Sequence, residues 1–312
     1  MLFLHPEDDV LGDVPEPDCL HDLNLDLVIA ALVVRREAYD LVPFFRSPLR
    51  DVETLHYRQE AMQELERVPV CEAVDAFSER MVVMRRHHAF GLGLEYPTSR
   101  NRWLHSATRI DGDAVRDLAD RLQEADLTSR AFLQLRDYLA QYIVSPAFRT
   151  LVDEGQRIGE LVGAIRYTVH IKAGRVTVRR LEGGEEYTGD VERTFARFRQ
   201  GDVKDYLSGY SSFGEASYVE YRVMELVAQL YPDEFAELDR YCRAHAVFVD
   251  GRIARFDREV QFYLAYLDYI APIRASDMEF CHPTISTESR ELDIVGGYDL
   301  ALAAKLATTK LR

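Results

Sequence analysis

Basic side chains occur at short intervals in a stretch that alternates polar and apolar residues. They are Lys172, Arg175, Arg179 and Arg180. Lysine and arginine bind phosphate oxygens, so these residue types suggest contact with the phosphates of a nucleic acid. Because side chains alternate across a strand, we expect Arg175 and Arg179 to share one face and Arg180 to point to the other. The alternative is that these charges protect an exposed strand edge from aggregation.

The charge of the chain is unevenly distributed. The formal net charge is −15 over 312 residues, which argues against a protein that coats nucleic acid over its whole surface. From residue 165 to residue 199, however, eight basic residues outnumber five acidic ones, which gives a local net charge of +3. Phosphate contacts are therefore expected in this stretch, and the acidic remainder is expected to favour solubility.

Two pairs of potential metal ligands lie far apart in the sequence, Cys242 with His245 and Cys281 with His282. Cysteine and histidine are zinc ligands, and convergence of all four would favour a metal-dependent hydrolase. Cys242 and His245, however, lie on an otherwise apolar helical stripe, where buried cysteines and hydrogen-bonded histidines are common. We therefore expect core packing, and no metal site.

No catalytic signature occurs in the sequence. It contains no G-x-x-x-x-G-K-[ST], no G-x-S-x-G and no H-E-x-x-H. The segment GLGLEYP at 91–97 follows a helical pattern and lacks the third glycine of a dinucleotide-binding fingerprint. We expect this chain to be no enzyme and to hold no cofactor.

Composition is that of a globular protein, with 47% apolar residues. No run approaches the apolar length of a membrane span, and the first residues lack the pattern of a secretory signal. The four cysteines are too few and too scattered for a disulfide framework, which favours a reducing compartment. We expect a cytoplasmic protein with no membrane contact.

Helical periodicity covers most of the chain. Apolar residues recur at three- and four-residue steps, and the predicted helix ends are marked by capping residues, prolines and glycines. The predicted helices cover 25–36, a stretch after the cap Asp51, the stripe from Val74 to His88, 100–106, 113–123, a stretch after Thr128 or Ser129, one from Pro146, the stripe from Val219 to Leu230, one from Pro232, and a long helix through Ile253–Ile270 that stops before Pro283.

The periodicity changes between residues 164 and 181. AIRYTVHI and RVTVRRL alternate and are rich in β-branched residues, and the loop Lys172–Gly174 joins them, which predicts a β-hairpin. The fold class is therefore mainly α, with helices before and after a hairpin insertion. A lone hairpin is marginally stable, so it either lies on the helices or projects toward a partner.

Two segments resemble a known family. FFRSPLRDVETLHYRQEAMQEL at 44–65 resembles the opening of the core domain in MutS-type proteins, the DNA mismatch-repair ATPases and their relatives. Pro48, Leu49, Asp51, Arg58 and Leu65 stand in its PL-x-D pattern and the helix that follows. FYLAYLDYI and MEFCHPTIS, within 262–286, resemble the long returning helix and the aromatic-x-x-Pro turn that end this domain.

The resemblance implies an organisation. The hairpin falls where these proteins insert a clamp between outgoing and returning lever helices, so we expect a long-helix lever-type core with a clamp-like insertion. The expected segments are an extended acidic N-terminus (1–19), a first helical part of the core (20–164), the clamp-like insertion (165–214), returning helices (215–290) and a lead-in to an ATPase domain (291–312).

The resemblance also implies a function. The chain looks like the non-catalytic core of a DNA repair or recombination ATPase that couples nucleotide state to DNA clamping and forms a homodimer when full-length. ATP and Mg would be bound in an ATPase domain that this chain lacks. The mismatch-reading and connector domains have no counterpart here, so mismatch recognition is not implied. The alternative is a helical protein-interaction scaffold that does not bind DNA, whose acidic surface binds a basic partner and whose hairpin adds a strand to that partner.

Overall fold

The computed structural model describes residues 18–47, 49, 51–172, 175–181, 218–289 and 291–310. These residues form a mainly helical protein with one small antiparallel hairpin, which confirms the predicted fold class. Residues 1–17 of the predicted extended N-terminus, the Ala173–Gly174 part of the hairpin loop and the charged and Gly/Ser-rich segment 182–217 lie outside the described residues, whereas Cys19, the last residue of that predicted N-terminus, begins a helix.

The elements follow one another in this order. The helices are α1 (Cys19–Asp22), α2 (Leu25–Val33), α3 (Val42–Arg46), α4 (Val52–Leu65), α5 (Val68–Leu92), α6 (Pro97–Glu124), α7 (Arg130–Tyr142), α8 (Pro146–Gly163), α9 (Tyr218–Leu230), α10 (Pro232–Ala244), α11 (Gly251–Arg274) and α12 (Leu300–Lys310). The strands β1 (Tyr167–Lys172) and β2 (Arg175–Arg180) lie between α8 and α9. Among the helices described, none has the length and apolar character to cross a membrane.

The chain divides into two compact units. Unit 1 comprises Met1–Met81, Asp113–Ser145 and Val249–Arg312, and unit 2 comprises Val82–Gly112 and Pro146–Phe248. The divisions fall within α5 and within α6, so each of these long helices contributes residues to both units.

Side-chain caps begin several helices of unit 1, as the sequence predicts. The Asp51 carboxylate accepts a hydrogen bond from the Thr54 amide at 2.6 Å at the start of α4. Ser129 Oγ accepts one from the Phe132 amide at 3.3 Å at the start of α7. Each cap satisfies an amide that has no carbonyl partner in the first turn.

The Glu64 carboxylate supports the start of α7 from a neighbouring helix. Its Oε2 accepts hydrogen bonds from the amides of Thr128 and Ser129, both at 2.7 Å. Arg67 contacts the other oxygen, Oε1, at 2.5 Å. Burial by itself would raise the pKa of Glu64, but these hydrogen bonds outweigh it and leave the pKa below its usual value.

The long helix α11 buries the stripe that the sequence predicts. Ile253, Phe256, Val260, Leu264 and Ile270 are all buried, and the Phe77 ring of α5 lies 5.4 Å from that of Phe256. The helix ends at Arg274, well before Pro283, and Asp277 then adopts a left-handed φ of 61°. The spacing of its apolar residues thus determines which face of α11 is buried, whereas the backbone conformation shortly after Arg274 determines where the helix ends.

The predicted bounds were wrong for two helices, α2 and α6. Helix α2 ends at Val33, three residues before the predicted Arg36, because Arg35 takes a left-handed φ of 66°. The predicted helices 100–106 and 113–123 are a single helix, α6. Gly112 lies within this helix and does not interrupt it. A Cβ at Gly112 would lie 3.0 Å from Val152 Cγ2, so the glycine permits a close contact between the two helices.

Unit 2 has an apolar core formed by α8, α9 and α10. Its buried residues include Leu151, Ile158, Val227 and Leu238. On α5, His87 is buried and His88 is half-buried. The buried stripe that was predicted to end at His88 therefore ends at His87. His87 Nδ1 lies 2.9 Å from Ser106 Oγ, which supplies the hydrogen bond that a buried histidine needs.

Candidate nucleic-acid interface

The register of the hairpin sorts its residues into two faces. Strand β1 pairs antiparallel with β2, with Lys172 opposite Arg175, His170 opposite Thr177 and Thr168 opposite Arg179. Residues directly opposite each other share a face, and residues along a strand alternate. These six positions therefore form a polar face with four basic or titratable members.

The other face is largely apolar. It holds the pairs Tyr167 with Arg180 and Val169 with Val178. Tyr167 and Val178 pack against the apolar core of unit 2, whereas Val169 keeps 39% of its surface exposed. The hairpin therefore lies on the helices, which is one of the two arrangements that the sequence left open.

Arg180 is tied to the end of helix α9. Its Nε donates a hydrogen bond to the carbonyl oxygen of Leu230 at 2.8 Å, and its Nη2 donates to the same oxygen. The guanidinium carbon lies 4.6 Å from the centre of the Tyr231 ring, a cation–π contact. The Tyr231 hydroxyl in turn donates to the carbonyl oxygen of Arg166. Arg180 thus stabilises the hairpin whether or not a ligand is bound.

The three other predicted contact residues occupy the polar face. Arg179 is exposed and makes no ion pair with any residue that the structure describes. Lys172 ends β1 and Arg175 begins β2, where they pair across the hairpin. Lys172 was predicted to lie in the loop; β1 instead ends one residue later than predicted, at Lys172, and begins at Tyr167 rather than at Ala164.

His170 belongs to this polar face, although the sequence analysis did not single it out. It is exposed and lies two residues before Lys172 in the same strand. The signal for it was present, because residues two apart in a strand share a face. Neutral, its ring offers one hydrogen-bond donor, and protonated, it offers two.

The charge of unit 2 differs from that of the whole chain. Over the full ranges Val82–Gly112 and Pro146–Phe248, nineteen lysines and arginines are matched by nineteen aspartates and glutamates, a formal charge of 0. The whole chain carries −15. A phosphate backbone therefore meets less repulsion at unit 2 than the overall composition suggests.

The metal ligands considered from the sequence have other partners. The Cys242 thiol is buried and donates to the carbonyl oxygen of Asn101 at 3.2 Å, and burial raises its pKa to about 12. His245 Nε2 lies 3.4 Å from Glu154. His282 Nε2 lies 3.2 Å from Glu66, and Cys281 is exposed. In the described ranges, no group of three or more His, Cys, Asp or Glu residues is arranged to hold a metal ion.

A buried polar network joins α6, α8 and α10. His105 Nε2 donates to the carbonyl oxygen of Gly155 at 2.7 Å. Thr108 Oγ1 donates to the His105 carbonyl at 2.8 Å and lies 2.9 Å from the Tyr241 hydroxyl. Burial raises the pKa of Tyr241 to about 12 and lowers that of His105. These groups are neutral and mutually satisfied, so the network holds helices together.

The chain was compared with models of protein families, with curated proteins and with solved structures, and no match was found.

Proposed function

We propose that this chain is the non-catalytic core of a MutS-like DNA repair or recombination ATPase, and that the polar face of its hairpin contacts the DNA backbone. One observation carries the proposal. In the pairing register, the backbone positions of Lys172, Arg175 and Arg179 alternate with those of Tyr167, Val178 and Arg180, and Tyr167 and Val178 pack on the helices. A hairpin that packs on helices and has basic residues at its outward register positions is suited to bind phosphates.

The length of three helices supports a lever role in this proposal. Helices α5, α6 and α11 have 25, 28 and 24 residues, and α5 and α6 each contribute to both units. Continuous helices transmit a displacement along their axes, which loops do not. Nucleotide-dependent motion in an ATPase domain would move such helices, and the hairpin with them.

Binding of a fluorescein-labelled duplex to the purified chain tests the DNA contact. We expect affinity at low salt that falls steeply as salt rises. The hairpin variant K172Q/R175Q/R179Q is expected to lose about 0.9 of the log–log salt slope per phosphate contact removed. The charge-matched control R149Q/R240Q/R243Q changes three exposed arginines of α8 and α10 and is expected to bind nearly as the unmodified chain.

Two results would contradict the proposal. Equal affinity for the hairpin variant and its control would mean that the hairpin is not the contact surface. Absence of DNA binding at low salt, to duplex and to branched substrates alike, would favour the alternative of a helical scaffold that binds a protein partner.

A further inference from the structure

A second group of basic residues lies on α6, away from the hairpin. Arg102, His105 and Arg109 are spaced by three and four residues, so they share one face of the helix. His105 is buried, Arg102 is half-buried and Arg109 is exposed. Two cations therefore flank a histidine that is fixed in the interior of unit 2.

This face of α6 meets α8 at glycines. A Cβ at Gly159 would lie 3.4 Å from His105 Cε1 and 3.6 Å from Arg109 Nη1. The Arg109 guanidinium therefore lies against bare helix backbone, where no side chain of that position covers it. Burial, together with the charges of Arg109 and Arg102, lowers the pKa of His105.

Neither guanidinium has a hydrogen-bond partner among the described residues. The side chains of Arg102 and Arg109 likewise form no ion pair with any residue in the described part of the chain. Elsewhere in the same unit, Arg157 pairs with Glu237 at 2.5 Å and Arg243 pairs with Asp239 at 2.7 Å. Two like charges on one helix face repel each other, and an anion that contacts both relieves that repulsion.

Helix α8 leads from this place to the hairpin. Gly163 ends the helix one turn after Gly159, a rise of about 6 Å. Arg166 Nη1 donates to the Gly163 carbonyl oxygen at 2.7 Å, and β1 begins at the next residue, Tyr167. Arg109 thus lies beside α8 at Gly159 and Arg166 contacts its last residue, Gly163, just before the hairpin.

We propose that Arg102 and Arg109 form a second phosphate site, which binds a phosphodiester group of the nucleic acid that the hairpin contacts. Arginine suits this role because its guanidinium stays charged and binds phosphate oxygens in pairs. The inference rests on the proposed function for the identity of its ligand, but it concerns different residues on a different element.

The test compares R102Q/R109Q with the control R149Q/R240Q in duplex binding across a salt series. The control residues are exposed arginines of the same unit that form no ion pair with described residues, so both variants change the charge equally. We expect R102Q/R109Q to bind about tenfold more weakly at moderate salt and to lose about 1.8 from the salt slope, whereas the control loses little.

Protein NMR of His105 tests whether the variant is folded and whether the two arginine charges act on the histidine. Because two repelling cations are removed, the pKa of His105 is expected to rise in R102Q/R109Q and to stay unchanged in the control. An unchanged His105 pKa would contradict the placement of the two arginines.

The outcomes separate the two proposals. If R102Q/R109Q binds like its control while the hairpin variant K172Q/R175Q/R179Q binds weakly, the second site is wrong and the proposed function stands. If R102Q/R109Q binds weakly and the hairpin variant binds normally, the second site stands and the hairpin contact is wrong. If the unmodified chain binds no nucleic acid at low salt, both are wrong.

Discussion

Arg180 and Leu230 are joined by a hydrogen bond of 2.8 Å from the guanidinium Nε to the last carbonyl oxygen of helix α9. Carbonyl groups at the end of a helix lack amide partners, and a cation there also matches the helix dipole. One side chain therefore closes the helix and fastens strand β2 to it. Its neighbour in sequence, Arg179, is exposed and has no such contact.

Replacement of Arg180 by glutamine is expected to loosen the hairpin. The variant loses a charge-assisted hydrogen bond and a cation–π contact, which together contribute about 1 kcal/mol at an exposed site. Amide hydrogen exchange in β1 and β2 should accelerate about fivefold. The control R179Q should leave exchange unchanged, and equal protection in both variants would mean that Arg180 is not an anchor.

Replacement of Glu64 by alanine is expected to destabilise unit 1. The amides of Thr128 and Ser129 would be left without their acceptor, at a cost of about 2–3 kcal/mol. Urea unfolding measures the change in free energy of unfolding. The exposed neighbour Gln63 supplies the control, Q63A, which should alter that free energy by less than about 0.5 kcal/mol. A loss in E64A no larger than that would contradict the capping role.

Two glycines of α8 are expected to respond oppositely to alanine. A Cβ at Gly155 would lie 2.7 Å from the Tyr241 hydroxyl, whereas a Cβ at Gly163 meets nothing within 4 Å. We expect G155A to lower the free energy of unfolding by about 2 kcal/mol, because overpacking displaces a ring that is fixed by hydrogen bonds. G163A should be neutral or slightly stabilising. Similar unfolding curves for the two variants would contradict this contact.

Acidification is expected to destabilise unit 2 through His105. Its pKa in the folded protein lies below the usual 6.5 because the ring is buried. The unfolded chain therefore binds the proton more readily, so the stabilisation is complete above pH 6.5 and is lost as the pH falls from there toward the folded-state pKa. Thermal unfolding as a function of pH measures this loss.

The variant H105Q isolates that contribution. Glutamine retains a donor for the Gly155 carbonyl and does not titrate, so the fall in melting temperature below pH 6.5 should be smaller than in the unmodified chain. The variant H170Q, which changes an exposed histidine, should keep the original pH dependence. A pH dependence in H105Q as steep as in H170Q would rule out His105 as the source.

Thiol labelling distinguishes core packing from metal or redox chemistry at the cysteines. Cys19 and Cys281 are exposed, whereas Cys242 is buried with a pKa of about 12. Because the thiolate is the reactive form, iodoacetamide at pH 8 should label the first two in the native protein and spare Cys242. All four should react in denaturant. Rapid native labelling of Cys242 would contradict its placement in the core.

Local rules account for most of the fold that the sequence predicts. The caps Asp51 and Ser129, the stripe of α11 and the alternation of the hairpin each depend on residues close in sequence. The role of Gly112 inside α6 depends instead on Val152 of α8, because the glycine permits a close contact between these helices. The left-handed φ of Arg35 that ends α2 is likewise invisible in residue type, because glycine or asparagine usually marks such a position.

The candidate site likewise has features that the sequence predicts and features that only the fold reveals. Alternation predicts that Arg179 and Arg180 lie on opposite faces, and the structure places Arg179 in solvent and Arg180 on Tyr231. The sequence does not indicate that Arg180 fastens the hairpin to α9, because Leu230 lies fifty residues further along the chain. The same limit applies to Arg102 and Arg109, whose lack of a carboxylate partner is evident only after folding.

The two-faced hairpin has a consequence for how such a protein can diverge. Tyr167, Val178 and Arg180 secure it from one side, so substitutions on the outward side cost little folding free energy. Relatives that share the proposed DNA contact are expected to keep basic residues at Lys172, Arg175 and Arg179, whereas relatives with another partner can exchange them and retain the same scaffold. Differences between these two groups of relatives are therefore expected to concentrate at alternate positions of the two strands, with the intervening positions held constant.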